Sequence, residues 1–544
     1  MVSLLSIGQV TGVQIEAIII VVWILFILGI GVWSRKRIKG SGEFMVGGRQ
    51  IPVWMLGMWS AGASVSAWAF FGLPGAIYTS GPVLHWAICI PMMAGFCLTV
   101  LILGRWMRVS ARKYGLMTMP DFLAEIYGGK WIRVFAAIGV VIACIFYATA
   151  QFKAIGVLMS TLLGLDYYSG AALGITVTII YVILGGFVAG AIINTFNVSM
   201  MIIASIIAVA LGFIWTNGYV NMVSVVTTAV PNFYNTETGF GGAFWGFWIS
   251  WAILISSFGL LGQAAVVQKL YGIKKPSTLW LWGFMGAIIF GVTCPAYCYL
   301  GVVVKYFAVL PGSTVAAQIT ALGYGADGVI AWLTTVKLAA ESPFLGGLLI
   351  AGVIGAAWST IDGFLMMGGA AIARDIIQKC FRPNWTDKQL LFNLRIWMIV
   401  VGIIMIIETL FPADIINWLA AIGWAQFAAT LAPALIIGVY WKGITKWGGA
   451  VGVGVSTFVA FIMTVVWRLP AGPLSPYGMG TVGMIKYFWL DAGAWGMIVG
   501  FIAIILVSLV TKKERGPLYY DIHKLPPPAT VAPAATAAPA APKP

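Results

Sequence analysis

Apolar residues run along this chain in stretches of about twenty, parted by short polar segments rich in Lys, Arg, Gly and Pro. About 20 apolar residues in a helix cross the hydrocarbon core of a bilayer. The pattern predicts thirteen such helices, over 15–33, 51–80, 83–104, 131–163, 169–188, 192–215, 244–267, 279–306, 346–369, 391–410, 415–440, 448–467 and 488–510. The loops 216–243 and 308–345 are long enough for short helices, and 315–322 and 328–338 read as surface helices, either a lid or, on the simpler reading, membrane-surface connectors.

Two runs suit lipid poorly. Residues 59–81, WSAGASVSAWAFFGLPGAIYTSG, contain Gly62, Ser64, Ser66, Gly72, Pro74 and Gly75, and the run from Phe244 is interrupted by Ser256, Ser257 and Gly259. Backbone that leaves the helical ladder inside a bilayer persists only where protein or a water-filled cavity satisfies its polar groups. Two readings stand: helices broken so that freed carbonyls hold an ion and half-helix ends face a solute, or kinks with small residues used for close packing. Without the first run, the next ten divide into five and five, with an interrupted helix opening each half. That matched placement is the signature of inverted-repeat carriers.

Composition agrees with this all-α polytopic membrane architecture. The 544 residues are 61% hydrophobic and only 9% charged, and the mean hydropathy is +0.98. The net charge of +15 forms no basic face with interleaved aromatics, so no nucleic acid is implied. Instead 26 of the 31 Lys and Arg fall on one set of alternate connecting segments, which places the N-terminus outside and the C-terminus in the cytoplasm of a plasma (inner) membrane protein. The first run lacks a basic leader and a small-residue cleavage site and reads as a retained helix. Six cysteines without a CxxC read as core residues. The expected organisation is an N-terminal helix in 1–34, a ten-helix core in 35–443, two further helices in 444–511, and a disordered Pro/Ala-rich cytoplasmic tail in 512–544.

The segment GAAWSTIDG sets Ala356, Ser359 and Thr360 at i, i+3 and i+4, so a carbonyl and two hydroxyls share one helix face. Together with carbonyls from an unwound helix they can surround a small hard cation; alternatively, the hydroxyls bond back to their own helix. Lys153 lies near mid-bilayer, where a lysine needs a cavity or a partner. Beside Gln151 it can hold a substrate carboxylate, replace a second cation or pair with Asp362, or snorkel. No Walker loop, metal cluster or nucleophile triad is present in the sequence, so neither ATP drive, nor enzyme activity, nor a cofactor is expected.

The order EFMVGGRQIPVWMLGMWSAGAS, FFGLPGAIYTSG, GGFVAGAIINTFN, GQAAVVQKLYGIKK, AAWSTIDGFLMMGGAAIARDI and PALIIGVYWKGITKWGGA resembles the sodium:solute symporter family over most of residues 43–467. Members include proline, sugar, sialic acid, pantothenate and monocarboxylate carriers on the leucine-transporter fold. The resemblance implies Na+ as coupling ion, held by the Gly62 and Val65 carbonyls, the Ala356 carbonyl and the Ser359 and Thr360 hydroxyls. It implies a solute site near Ser64, Ser66, Trp68, Phe71, Ser256, Ser257 and Gly259, to which Gln151 and Lys153 are added from their position. Two departures weaken the expected pull on a cation: Ser64 stands nearest an aspartate of some relatives, and Asn194 replaces a common aspartate. The expected function is sodium-coupled import of a small organic solute, with a leaning to a monocarboxylate, and with no obligatory protein partner. A proton-coupled or uncoupled carrier and a transporter-like sensor are the alternatives.

Overall fold

In a computed structural model the described residues are 7–235, 243–410, 416–468 and 480–528. Among them eleven helices are long and apolar enough to cross a membrane. An isolated bridge between Ile51 and Ile273 accompanies them. Long apolar runs without interior polar partners leave the backbone only itself to bond with, and helices are the result.

Two features separate these eleven from the thirteen runs of the sequence. The runs 169–188 and 192–215 follow one another without a loop in Tyr167–Trp215, 49 residues that form two helices meeting at a kink at Gly186 (φ 49°, ψ −144°). The run 51–80 is split into Val53–Ala67, a wide π-helical turn Trp68–Gly72, and Leu73–Ser80.

The core is formed by the uninterrupted helices Lys130–Leu163, Pro343–Ala370 and Ile416–Tyr440, packed around the two interrupted ones. Pro343–Ala370 is buried along nearly its whole length, from Gly346 to Ala370, whereas Ile7–Ser34 and Asp387–Thr409 expose large apolar side chains such as Leu25 and Ile407, as lipid-facing helices do.

Two expectations are corrected here. The segments 315–322 and 328–338 are not both surface connectors: Val329, Ile330, Ala331 and Leu333 are buried, and Asp327 just before them is tied into the core. The tail is ordered at its start. Gly516 N–H donates to Ile126 O at 2.9 Å, Arg515 to the Ile444 and Lys442 carbonyls at 2.8 Å, and Tyr519 OH to Lys442 O at 3.0 Å. The short helix Pro517–His523 buries Leu518 and Tyr519, because its apolar residues cover the loops between membrane helices. The rest of the predicted disordered tail, 529–544, lies outside the described residues.

The same face holds a buried charge cluster. Thr118 caps the helix Met119–Tyr127 by accepting from Asp121 N–H. Asp121 pairs with Arg133 and, at 3.0 Å, with Arg374, and the Thr118 hydroxyl donates to Asp375 at 2.8 Å. Burial alone would raise the Asp121 carboxyl, but Arg374 and Arg133 outweigh it and hold it well below the usual carboxylate range.

Candidate functional site

The first interrupted helix breaks at Ser66, whose φ of 49° and ψ of −178° are normally left to glycine. Such backbone costs about 1–3 kcal/mol and persists where its surroundings enforce it. The enforcing contacts are visible. Ser66 Oγ accepts from Trp68 N–H and meets Tyr147 OH, both at 3.0 Å, and the freed Ala67 N–H donates to Gln151 Oε1 at 2.9 Å.

The helical turn before this break crosses Pro343–Ala370. A Cβ on Gly62 would sit 3.1 Å from Ser359 Oγ, so glycine is what permits the approach. Thr360 Oγ1 lies 3.4 Å from Ala63 O. Ser359 and Thr360 both donate to Ala356 O, at 2.8 and 3.1 Å, so the hydroxyls do bond back to their own helix, as one of the two sequence readings had it, and in doing so gather three oxygens at the crossing. The Val65 carbonyl accepts from Trp68 N–H and keeps a second lone pair. The crossing therefore brings together the Gly62 and Ser359–Thr360 segments named from the sequence, and adds Ala63, which the sequence did not single out.

Asp362 sits one turn further along, fully buried. It accepts from Trp59 Nε1 at 3.2 Å, Asn194 Nδ2 at 2.5 Å and Gly363 N–H at 2.6 Å, and Trp59 Nε1 also reaches Ser359 O at 3.1 Å. The carboxylate that Asn194 lacks is thus supplied by its hydrogen-bond partner on the neighbouring helix. Lys269 donates to Trp59 O at 3.1 Å and lies over the Trp59 ring at 4.4 Å.

A narrow cavity on the other side of the break is lined by Ser64, Trp68, Ile88, Met92, Tyr147, Trp251, Ala420, Ala421 and Trp424. The Trp251 and Trp424 indole N–H groups have no hydrogen-bond partner among the described residues. A second cavity includes Trp59, Phe187, Gln268, Lys269 and Gly363 in its lining, so Trp59 and the oxygen crossing stand between the two.

Of the nine expected solute residues, Ser64 and Trp68 line the first cavity, and Ser66 and Gln151 brace its wall through Tyr147 and Ala67. Phe71 is buried in the π-helical turn, and the Ser256 hydroxyl is buried without a partner among the described residues. Three residues are placed elsewhere. Ser257 bonds to Ala252 O and Pro91 O at 2.7 and 3.2 Å. Gly259 packs on Ala428 so closely that a Cβ on the glycine would sit 2.6 Å from the alanine's own. Lys153 forms a 2.8 Å ion pair with Asp327, not with Asp362, and Asp327 also accepts from Ile416 N–H at 3.1 Å. A lysine held in this way anchors the loop around Asp327, where Gly75 packs directly beneath Ala326 O. The aromatic lining from Trp251 and Trp424 escaped the sequence reading because 25 tryptophans offer no contrast.

Comparisons with known proteins agree with this architecture. A sodium/proline symporter of Staphylococcus aureus strain JH9 is 27% identical over 539 residues, covering 96% of this chain and 99% of that protein, and the symporter of strain JH1 matches equally. Among solved structures, a Na+-coupled sialic acid symporter in its substrate-bound outward-open state superposes with a TM-score of 0.73 at 15% identity, over 92% of this chain and 99% of that one. The sequence profile of the Sodium:solute symporter family matches residues 44–455. The protein is therefore a multi-pass membrane transporter, not an enzyme, and it belongs to the sodium:solute symporter family.

Proposed function

We propose that this carrier imports a small organic acid together with Na+ by alternating access, and that the oxygens at the Gly62–Thr360 crossing hold the ion. The crossing itself supports the reading: Thr360 Oγ1 and Ala63 O stand 3.4 Å apart across two helices, one of them unwinding a few residues later. The ligands are the carbonyls of Gly62, Val65 and Ala356 and the hydroxyls of Ser359 and Thr360. Neutral oxygens suit a hard monovalent cation. An ion bound to both helices fixes the break in one geometry, which links ion occupancy to the solute cavity.

The solute class follows from the cavity. The cavity is lined mainly by apolar and aromatic side chains, and the Trp251 and Trp424 N–H groups await acceptors. Proline and sialic acid, named for the relatives, are both organic acids, which agrees with a carboxylate as acceptor. In this reading Tyr167–Trp215, about 74 Å long at 1.5 Å per residue, crosses twice around Gly186, and 53–80 crosses once. The eleven long helices then become thirteen crossings, with the N-terminus outside, the 35–443 core, and the 512–528 strap in the cytoplasm.

Proteoliposome uptake with a panel of labelled organic acids, amino acids and sugars tests this. An imposed inward Na+ gradient is expected to drive accumulation of a small carboxylate. Accumulation that ignores the Na+ gradient would overturn the ion assignment, and accumulation of neutral sugars alone would overturn the solute class.

A further inference from the structure

Away from the ion crossing, three metal-ligating side chains are gathered inside the membrane-spanning region. Cys89 belongs to Val83–Thr99, and Cys294 and Cys298 belong to Leu279–Val309. The latter two are four residues apart and share a helix face. Each helix has an internal proline next to its cysteines, Pro91 and Pro295, and proline leaves the ladder incomplete and lets a helix bend. The three Sγ atoms lie within 4.8 Å of one another, with Cys89 Sγ 2.9 Å from Cys294 Sγ. Cys89 and Cys294 are fully buried and Cys298 is 3% exposed.

We propose that Cys89, Cys294 and Cys298 form a binding site for a thiophilic divalent cation, beside the solute cavity and separate from the sodium oxygens. Sulfur selects soft ions, whereas Na+ is hard and prefers oxygen, so the two sites do not compete. Charge sets the valence. Two thiolates neutralise a divalent ion and the third sulfur completes the shell as a thiol, so no net charge remains in the low-dielectric interior, where it would be expensive. On binding, two S–H bonds break, two sulfur–metal bonds form, and two protons leave to solvent; nothing is oxidised or reduced.

The position gives the site a consequence for transport. Ile88 and Met92, on the same helix as Cys89, line the solute cavity. A metal joining the two helices stiffens one wall of the cavity. Uptake, which needs that wall to adjust around its cargo, slows.

The test uses the full-length purified carrier and Cd2+ alone. Equilibrium dialysis is expected to find one Cd2+ per chain, with an ultraviolet thiolate–cadmium band and release of two protons. The variant with Cys89→Ser, Cys294→Ser and Cys298→Ser together loses the band and the bound ion. Cys298→Ser alone weakens binding by about tenfold or more, a scale reached even by perturbing groups around a metal's ligands. Cys97→Ser with Cys380→Ser changes neither. In proteoliposomes Cd2+ slows uptake by the unaltered carrier and leaves the triple variant, whose uptake without Cd2+ reports its folding, unaffected. Binding that survives the triple substitution, or the absence of a thiolate band in the unaltered protein, overturns the site. Stoichiometric binding with undiminished uptake overturns its action on the cavity wall. The binding arm does not depend on the solute or ion assigned above.

Discussion

The two interrupted helices do the same topological job by different means. The first turns at one strained residue, Ser66, with a positive φ. The second changes pitch without any positive φ, through a wide π-helical stretch, Ile249–Ser257, followed by the tight turn Phe258–Gly262. Each is steadied by a glutamine, in opposite senses. Gln151 reaches in from Lys130–Leu163 to accept the freed Ala67 N–H, while Gln263 in the second break reaches out to Trp424 O at 2.8 Å. A sharp break concentrates freed carbonyls at one point, as an ion needs, whereas a gradual one redirects side chains along a wall. In the function proposed above, the same device serves capture of a point charge in one half and shaping of a cavity in the other.

The comparison is broken most severely at the ion crossing. Replacing both hydroxyls, Ser359→Ala with Thr360→Ala, is expected to remove about 3–6 kcal/mol of ion binding, taking about 1.5–3 kcal/mol for each bond to a charged partner. The Na+ concentration for half-maximal uptake then rises by at least about 100-fold, while Ser256→Ala with Ser257→Ala moves it little. Equal shifts for the two pairs would show that the breaks are not specialised.

Next in size is Lys153→Met, which strands the buried Asp327 carboxylate and is expected to cost about 3–5 kcal/mol in thermal unfolding. Adding Asp327→Leu recovers most of that loss. A direct hold on solute by Lys153 would instead leave the double variant folded and unable to take up acids.

The glutamines give a finer contrast. Gln151→Leu orphans the buried Ala67 N–H and costs about 1–3 kcal/mol, whereas Gln263→Leu removes a second bond from Trp424 O, a carbonyl inside a helix, and costs less. Because Gln151 braces the break between ion and cavity, its loss raises the apparent KM for both Na+ and solute; loss of Gln263 is expected to raise that for solute alone.

The smallest effect lies outside both breaks. Asp121 has a folded-state value below its ordinary 3.8, so its contribution to stability is complete above pH 3.8 and is lost as pH falls below that value toward the folded one. The melting temperature of the unaltered carrier is therefore expected to gain no slope from Asp121 between pH 8 and 5, and Asp121→Asn to lower it throughout that range.

What could be read from the sequence followed from chemistry that is local along the chain. Long apolar runs announced the helices, and the Ser/Gly interruptions announced both breaks, because each signal is spelled within twenty residues. Ala356, Ser359 and Thr360 were found together for the same reason. The partner of Lys153 was not legible, since Asp327 is 174 positions away and Asp362 looked equally available. Ser257 was misjudged because the change of pitch after Ile249 rotates later side chains away from the face that an α-helical period predicts. The docked strap was missed because PLYYDIH is too short to declare itself without the loops it covers.

Gly75 shows how narrow the margin is where the loop around Ala326 meets the first interrupted helix. With only a hydrogen atom beneath Ala326 O, the loop rests flush on that helix. Even a single methyl group at this position would press on the carbonyl, so loop and helix would have to part before any heavier residue could fit.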